Sequence, residues 1–389
     1  MTDGDRRLTV LATATAANFG QFGARVVVSP FVLAVAIDFG VTKGGVGTGL
    51  TFMWAAFALT QYPSGVLADR YGERRVMLTS MALTVAGSLL VALSPSFPAF
   101  VLATVALGGG AGLYFSVGTA LLARRFENRG RALGLHSAGG PAAGLVLPVA
   151  ATAVAARYDW RAGVATGAVV AAIAFCLVAL FVGETPPAKP DVSVRTQLRP
   201  ENAFALLRQP GVAYTAVVAT LGMYVFQSFT SFFPTFLREY HGFGEREASL
   251  AFGVAFVLIA VGLPLVGNAA DRFGTRAGLI GPFLGTAVGF STLLVAPTRP
   301  AVYAGVVVLG LAMTWGGPLQ SRFMSQFPDE DQASGFGVVR TVFVLLGSVG
   351  NAVTGVLAGR VGWPAAFGVV VALLLVAAGL VARTGDQKE

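Results

Sequence analysis

Residues 65–75 read GVLADRYGERR, and residues 267–274 read GNAADRFG, which is 202 positions later. Each stretch places an Asp-Arg pair and a glycine between two long apolar runs. Gly72 permits a tight turn with positive φ, and Gly65 permits neighbouring helices to approach closely. The two copies predict a chain of two similar halves, in which the same turn joins the same pair of helices.

Further matches support this internal repeat. They lie 202 or 203 positions apart and pair Pro98 with Pro300, Leu107 with Leu309, Gly134 with Gly337, and Trp160 with Trp363. Two parallel copies imply a pseudo-twofold axis along the membrane normal, with a substrate site near the midplane between the halves. We therefore expect residues 1–182 and 211–389 to form two bundles. Residues 183–210, which are rich in proline and mixed charge, are expected to form a cytoplasmic linker between them.

The composition indicates a membrane protein. Of 389 residues, 55% are hydrophobic and 12% are charged, and the mean hydropathy is +0.72. Soluble proteins carry about 25% charged residues, so a soluble enzyme, a disordered chain and a disulfide scaffold are all disfavoured. Cys176 is the only cysteine, which excludes an internal disulfide and any site that needs several thiolates.

Apolar runs of about 20 residues predict membrane-spanning helices. Twelve such runs lie at about 8–37, 44–68, 75–94, 98–122, 132–156, 161–182, 211–238, 246–270, 276–296, 300–322, 333–358 and 363–383. The first run is longer than the apolar region of a signal peptide and is expected to be retained. The predicted fold is an all-α membrane protein with twelve transmembrane helices in two six-helix bundles.

The basic residues predict the orientation. With an even number of spans both termini lie on one side, and an inside N-terminus puts seventeen Lys and Arg residues on inner segments against seven on outer loops. This distribution favours cytoplasmic termini in the cell membrane. The net charge of +8 is explained in the same way and does not point to nucleic acid.

The motif at residues 65–75 resembles that of the major facilitator superfamily, the twelve-helix secondary transporters, and the resemblance covers essentially the whole chain. The family pattern is G-x-L-A-D-R-x-G-R-R-R/K, and Glu73 stands here where a basic residue is usual. The resemblance implies a cytoplasmic latch between the halves, formed by Gly65, Asp69, Arg70, Gly72, Arg74, Arg75, Asp271 and Arg272. An ordinary positively charged loop is the alternative.

A second motif lies in the fifth span. Gly140, Pro141 and Gly144 are similar to the family's antiporter signature G-P-x-x-G-G, although Leu145 replaces its last glycine. Glycine and proline soften a helix, so these residues are candidates for a helix-flexing element. Plain helix packing is the alternative.

Arg25 is the only basic residue near the middle of a span, and an intramembrane charge is a functional candidate. The 202-residue offset relates it to Gln227 in the seventh span. Because spans 1 and 7 line the central cavity in the family that the chain resembles, we expect both residues to contact substrate. A structural Arg25, satisfied by Asn18 and Gln21, is the alternative. Further candidates for the cavity wall are Tyr114, Trp54, Trp315 and Tyr224.

No Asp or Glu lies near the middle of any predicted span. His136, near the inner end of the fifth span, is therefore the only intramembrane side chain expected to titrate near neutral pH, and it serves either proton coupling or packing. One central arginine without a central carboxylate favours a small organic anion as substrate.

The sequence predicts a monomeric secondary transporter working by alternating access, with a proton or counter-ion as a potential partner. Efflux of hydrophobic drugs or metabolites is the main alternative, and a channel or a transporter-like receptor is less favoured. Enzyme motifs and phosphate-binding loops are absent from the sequence, so no catalytic residue, cofactor or metal is expected.

Overall fold

The structure is a computed structural model that describes residues 3–126, 129–191, 193, 208–326 and 332–383. The first part contains α1 (Asp3–Val26), a 3-10 turn (Ser29–Phe31), α2 (Val32–Asp38), α3 (Lys43–Tyr71), α4 (Glu73–Ala92), α5 (Phe97–Gly112), α6 (Phe115–Arg125), α7 (Arg129–Ala155) and α8 (Trp160–Phe181). The second contains α9 (Pro210–His241), α10 (Glu245–Val295), α11 (Arg299–Ala312), α12 (Gly316–Met324), α13 (Gln332–Gly347), α14 (Val349–Arg360) and α15 (Trp363–Arg383). These described residues contain no β-strand, so the all-α prediction is confirmed.

Ten helical stretches of the described residues are long and apolar enough to cross a membrane. One of them, α10, has 51 residues and measures about 77 Å at 1.5 Å per residue, more than twice a bilayer core of about 30 Å. Gly274 has φ 84 and ψ 157 and breaks α10 into two helices. α3 has 29 residues, but its Gly, Thr and Gln residues lower its hydropathy. Dividing α10 and including α3 gives a number of spans consistent with the predicted twelve.

The two repeated glycines adopt the same backbone conformation. Gly72, between α3 and α4, has φ 84 and ψ 148, which closely matches Gly274. A side chain is strongly disfavoured in this region of positive φ. The sequence expectation for Gly72 is therefore correct, and the repeat extends to backbone geometry.

Helix packing follows the repeat as well. A Cβ on Gly87 would lie 2.5 Å from the backbone of Leu107, and a Cβ on Gly289 would lie 2.7 Å from the backbone of Leu309. The repeated Pro98 and Pro300 stand in the first turns of α5 and α11, where a missing N–H costs nothing. Each half thus uses the same small residues to bring the same pair of helices together.

Tertiary contacts divide the chain into two compact units. Unit 1 comprises residues 1–31 and 52–200, and unit 2 comprises residues 32–51 and 201–389. In unit 1, α1 packs against α7 and α8, and α4 packs against α5 and α8. In unit 2, α10 packs against α11 and α15, and the rings of Phe229, Phe233, Phe252 and Phe256 contact one another in its core.

Residues 32–51, which the sequence places in the first bundle, pack with the residues of unit 2 in this structure. Glycines on α3 permit the approach, because a Cβ on Gly47 would overlap the carbonyl oxygen of Asn351. Thr51 adds a hydrogen bond from Oγ1 to Ser348 O at 3.0 Å. Spacing alone did not reveal this grouping, since it depends on which helices meet.

A charged cluster joins α3 to α9 and α15 within unit 2. Lys43 Nζ lies 2.6 Å from Glu239 Oε2, and Trp363 Nε1 donates to the same oxygen at 2.9 Å. The ammonium of Lys43 also lies 5.3 Å from the centroid of the Trp363 ring. The first residues of α3 and α15 are thereby joined to the end of α9.

Candidate substrate site

Arg25 lies on α1 and is only 3% exposed. Gln21 precedes it by four residues, so both side chains share one helix face. Arg25 Nη2 donates to Gln21 Oε1 at 2.6 Å, and Arg25 Nε donates to Gln21 O at 3.2 Å. These bonds hold the guanidinium at a defined position inside unit 1.

Two aromatic rings of α3 hold the same guanidinium. Its central carbon lies 3.8 Å from the ring centroid of Phe57 and 4.3 Å from that of Trp54. The two rings are three residues apart, and α3 therefore presents them on one face. Burial strengthens cation–π attraction, which offsets part of the cost of removing the charge from water. Trp54 was among the residues predicted for the cavity wall and Phe57 was not, although their spacing was a usable signal.

A chain of hydrogen bonds leads from Arg25 to α7. Gln21 Nε2 donates to Asn18 Oδ1, and Asn18 Nδ2 donates to the backbone oxygen of His136, both at 2.8 Å. Tyr114 lies beyond this chain, fully buried between α5 and α6, where its hydroxyl donates to Ala14 O and lies 3.1 Å from His136 Nε2. Tyr114 therefore belongs to a polar cluster with His136.

The remaining predicted wall residues lie in unit 2. Gln227 is fully buried on α9, and its Nε2 has no hydrogen-bond partner among the described residues. Trp315 stacks on Phe283 at 5.2 Å, and a Cβ on Gly222 would lie 2.5 Å from its Nε1. Tyr224 lies two residues further along α9, and its hydroxyl is buried.

A polar cluster lies between α9 and α14, and its members were not predicted to meet. Ser231 Oγ donates to Asn351 Oδ1, and Ser228 Oγ lies 2.8 Å from Thr354 Oγ1. All four residues are buried. Small hydroxyl residues are common in transmembrane helices, so the sequence contained no signal that distinguished these.

The first copy of the latch motif forms a network inside unit 1. Glu73 is buried and forms an ion pair with Arg124, which accounts for its acidic character at a usually basic position. Arg74 Nε donates to Val182 O at 2.7 Å, and its Nη2 donates to Ala179 O at 2.9 Å. These bonds attach the start of α4 to the end of α8.

The first residues of the predicted linker contact this motif. Lys189 N donates to Asp69 O at 2.8 Å, and Lys189 Nζ lies 3.8 Å from Asp69 Oδ2. Thr185 Oγ1 accepts a hydrogen bond from Arg74 N at 2.9 Å. Residues 192 and 194–207 of the predicted linker lie outside the described residues. Arg70 lies over the ring of Tyr71 at 5.3 Å, and Arg75 is exposed.

One expectation for the latch motif is wrong. Gly65 is not at a close helix approach, because a Cβ there would meet no described atom within 4 Å. In the second copy Asp271 and Arg272 are exposed, and Arg276 donates to Ala382 O. That bond repeats the one between Arg74 and α8.

The glycines of α7 differ in how closely they approach α1. α7 continues through Pro141 and Pro148, and a Cβ on Gly140 would meet only Phe22, at 3.7 Å. The close approach occurs at Gly139, where a Cβ would lie 2.6 Å from Thr15 O on α1. Gly139 therefore packs α7 against α1, and flexing at Gly140, Pro141 and Gly144 stays a prediction.

An apolar groove of about 890 Å³ lies in unit 1 between α1, α7 and α8. Its lining includes Leu11, Phe19, Ala138 and Ile173, and it contains no charged side chain. The groove does not include Arg25. It is suited to hydrocarbon, from lipid or from a lipophilic compound.

The structure brings Arg25 and Trp54 into contact, and hydrogen bonds connect Arg25 to the backbone of His136, whose side chain lies beside Tyr114. Gln227, Tyr224 and Trp315 lie in unit 2. Among the described residues, no group of three or more His, Cys, Asp or Glu side chains is placed to hold a metal ion. The arrangement provides a fixed positive charge with flat aromatic neighbours, which is suited to binding an anion.

The sequence profile of the Major Facilitator Superfamily matches residues 14–249 and 233–389. The chain is 25% identical over 276 residues to the nitrite extrusion protein of Bacillus subtilis, a match that covers 70% of this chain and 68% of that protein. It is 26% identical over 216 residues to the multidrug resistance protein MdtL of Shigella dysenteriae, covering 55% of this chain and about half, 54%, of that relative.

A solved structure shows the same fold. The crystal structure of a bacterial homologue of the human lysosomal transporter Spinster superposes with a TM-score of 0.81 and 16% identity, covering 97% of this chain and 96% of the other. At that identity the likeness concerns the fold alone.

Proposed function

The chain belongs to the major facilitator superfamily and is a multi-pass membrane transporter, and from that premise we propose that it carries small organic anions by alternating access. Its composition and fold indicate transport rather than catalysis. We further propose a location in the cell membrane, with both termini in the cytoplasm, and a monomeric state. The distribution of basic residues supports this orientation.

The buried guanidinium of Arg25 is the observation that carries the anion proposal. The predicted membrane spans contain no Asp or Glu near their centres, so a positive charge at this depth favours a negatively charged substrate. Arg25 offers a planar fork of donors that matches a carboxylate. Gln21, Trp54 and Phe57 fix the fork, so less conformational freedom is lost when an anion binds.

We assign substrate contact also to Gln227, whose buried amide nitrogen lacks a hydrogen-bond partner in the described chain. A buried donor without a partner is costly, and a substrate oxygen would satisfy it. Tyr224 supports the same assignment with its buried hydroxyl. Trp54, Tyr114 and Trp315 are proposed to contact substrate as well. The motif around Asp69, with its copy around Asp271, is proposed to act as the latch of the transport cycle.

A thermal-unfolding screen of the purified protein tests the anion proposal. Glucuronate, lactate and nitrite are compared with tetraphenylphosphonium, a lipophilic cation. A ligand at about 100 times its Kd stabilises the folded state by about 2.7 kcal/mol. We expect glucuronate or lactate to stabilise the parent, to lose its effect in Arg25→Gln, and to keep part of it in Arg25→Lys, which retains charge without the fork.

Arg360→Gln is the matched control, because Arg360 is exposed at the end of α14 and is expected to leave anion stabilisation intact. Full anion stabilisation of Arg25→Gln would overturn the role of Arg25. If no anion stabilises the parent, the anion proposal itself fails.

The apolar groove favours a second candidate function, the efflux of hydrophobic compounds. Its lining is almost entirely hydrocarbon, and one relative is named a multidrug resistance protein. Stabilisation by tetraphenylphosphonium but by none of the anions, equal in the parent and Arg25→Gln, would select this function.

A further inference from the structure

The side chain of Gln61 on α3 is a buried amide that makes no hydrogen bond within the described part of the chain. Neither its Nε2 nor its Oε1 has a partner there, and the residue is 2% exposed. Buried polar groups of native proteins are as a rule hydrogen-bonded, because an unpaired one is costly. The amide therefore requires a partner that the described side chains do not supply.

Gln61 shares a helix face with the two rings that hold Arg25. It follows Phe57 by four residues and Trp54 by seven, and these spacings place all three side chains on one face of α3. Side chains on a helix lean toward its N-terminus, so the amide of Gln61 is directed toward the turn that carries Phe57. The guanidinium of Arg25 lies 3.8 Å from the centroid of the Phe57 ring. The amide and the guanidinium thus approach the same ring.

The two groups differ in the ligand chemistry that they fit. The guanidinium is a donor only and matches a carboxylate. The amide offers a donor and an acceptor side by side, and two neighbouring hydroxyl groups satisfy both, since one donates to Oε1 and the other accepts from Nε2. A second carboxylate would leave Oε1 unpaired, and an alkyl group would leave both atoms unpaired.

The spacing of the two groups is that of a small molecule. Phe57 and Gln61 are separated by one helical turn, about 6 Å along the axis. Approach to the amide is provided by α6, where Phe115 and Ser116 are partly exposed. Ser116 Oγ donates to the backbone oxygen of Gln61 at 3.4 Å. The accessible surface of unit 1 therefore comes within one hydrogen bond of Gln61.

We propose that Gln61 is a specificity-determining residue that binds neighbouring hydroxyl groups of the substrate, and that the protein carries hydroxylated carboxylates of the sugar-acid class. This inference rests on the proposed anion function. Arg25 holds the carboxylate, and the amide of Gln61 holds the hydroxyls about one helical turn away. A carboxylate without hydroxyls leaves the amide buried and unpaired, so the site discriminates against it.

Isothermal titration calorimetry of the purified full-length protein tests this assignment with two probes. Glucuronate and cyclohexanecarboxylate both join a carboxylate to a six-membered ring, and only glucuronate carries hydroxyls. We expect the parent to bind glucuronate at least about tenfold more tightly, because the plain ring leaves a buried donor and acceptor unpaired. Gln61→Leu, which removes the amide and retains an apolar side chain of similar length, should abolish this preference.

Gln209→Leu is the matched control. Gln209 is exposed before α9, and its side chain makes no capping hydrogen bond, so this variant should keep the full preference for glucuronate. Without ligand, Gln61→Leu should unfold at the same temperature as the parent or a higher one, since the lost amide had no partner. A lower unfolding temperature would show that the amide is paired inside the protein, and it would overturn the assignment.

The binding results separate this inference from the proposed function. A preference for glucuronate that persists in Gln61→Leu overturns the role of Gln61. Equal affinity of the parent for both probes overturns the sugar-acid class, while loss of both in Arg25→Gln would still uphold the anion function. Binding of neither probe by the parent counts against the proposed function and removes the inference with it.

Discussion

Arg25 shows how a single charge is kept inside a membrane protein. Its guanidinium is 3% exposed and is held by Gln21 on its own helix and by two rings of α3. Each cation–π contact contributes about 0.5–2 kcal/mol. These contacts hold the charge at a defined position on α1.

Gly118 lies directly beside the Tyr114–His136 pair. A Cβ there would lie 2.8 Å from Tyr114 Oη and 3.2 Å from His136 Nε2. The pair therefore requires a residue without a side chain on the facing turn of α6. The sequence contained no signal for this role, because the chain has 50 glycines.

We predict that Gly118→Ala lowers the stability of the protein by about 1–3 kcal/mol, because the added methyl group overpacks the pair. Thermal unfolding in detergent measures the effect. Gly134→Ala is the control, since a Cβ there would meet no described atom within 4 Å. Equal stability of the two variants would contradict the packing at Gly118.

At the scale of elements, the turn after α3 and the break within α10 are the same structure used twice. Both depend on a glycine with φ 84. Gly72 is more confined, because a Cβ there would also overlap the carbonyl oxygen of Thr185, whereas one on Gly274 would meet no described atom within 4 Å. The two copies thus share a backbone conformation that favours glycine and differ in the space around that glycine.

This difference predicts a graded series. Gly274→Ala should cost about 1–3 kcal/mol from backbone strain alone, and Gly72→Ala should cost more because of the added overlap. Gly65→Ala should have little effect, since its surroundings are open. Thermal unfolding of the three variants checks the order. A Gly65→Ala variant that is as unstable as Gly72→Ala would refute it.

At the scale of the whole molecule, contacts distant in sequence define the units. Lys43 and Glu239 are 196 positions apart, yet their side chains meet at 2.6 Å and share Trp363. The pair is partly buried, with side chains 19% and 25% exposed. Partial burial shields it from salt better than an exposed pair.

We predict a coupling energy of about 0.5–1 kcal/mol for this pair. A double-mutant cycle with Lys43→Met and Glu239→Gln measures it by thermal unfolding, and Gln retains an acceptor for Trp363. Arg238 and Glu245 are the comparison pair, because their charged atoms are 3.6 Å apart. A cycle that gives no coupling would show that the contact does not stabilise unit 2, and less coupling than in the comparison pair would show that partial burial does not strengthen it.

Much of this architecture follows from local chemistry. Long apolar runs require helices that span a bilayer, because the backbone must satisfy its own hydrogen bonds there. The repeat of Gly72 and Gly274 was visible because only glycine tolerates that backbone conformation. The isolated Arg25 was visible because a charge is rare in such runs.

The groupings that make a site came from the fold. No spacing in the chain revealed that residues 32–51 pack with unit 2, that Gly139 rather than Gly140 meets α1, or that Tyr114 contacts His136. These facts depend on which helix faces meet, and an apolar helix in lipid lacks the polar-to-apolar pattern that marks a buried face in water. Helix pairing is set by shape and by a few buried hydrogen bonds between segments far apart in the chain.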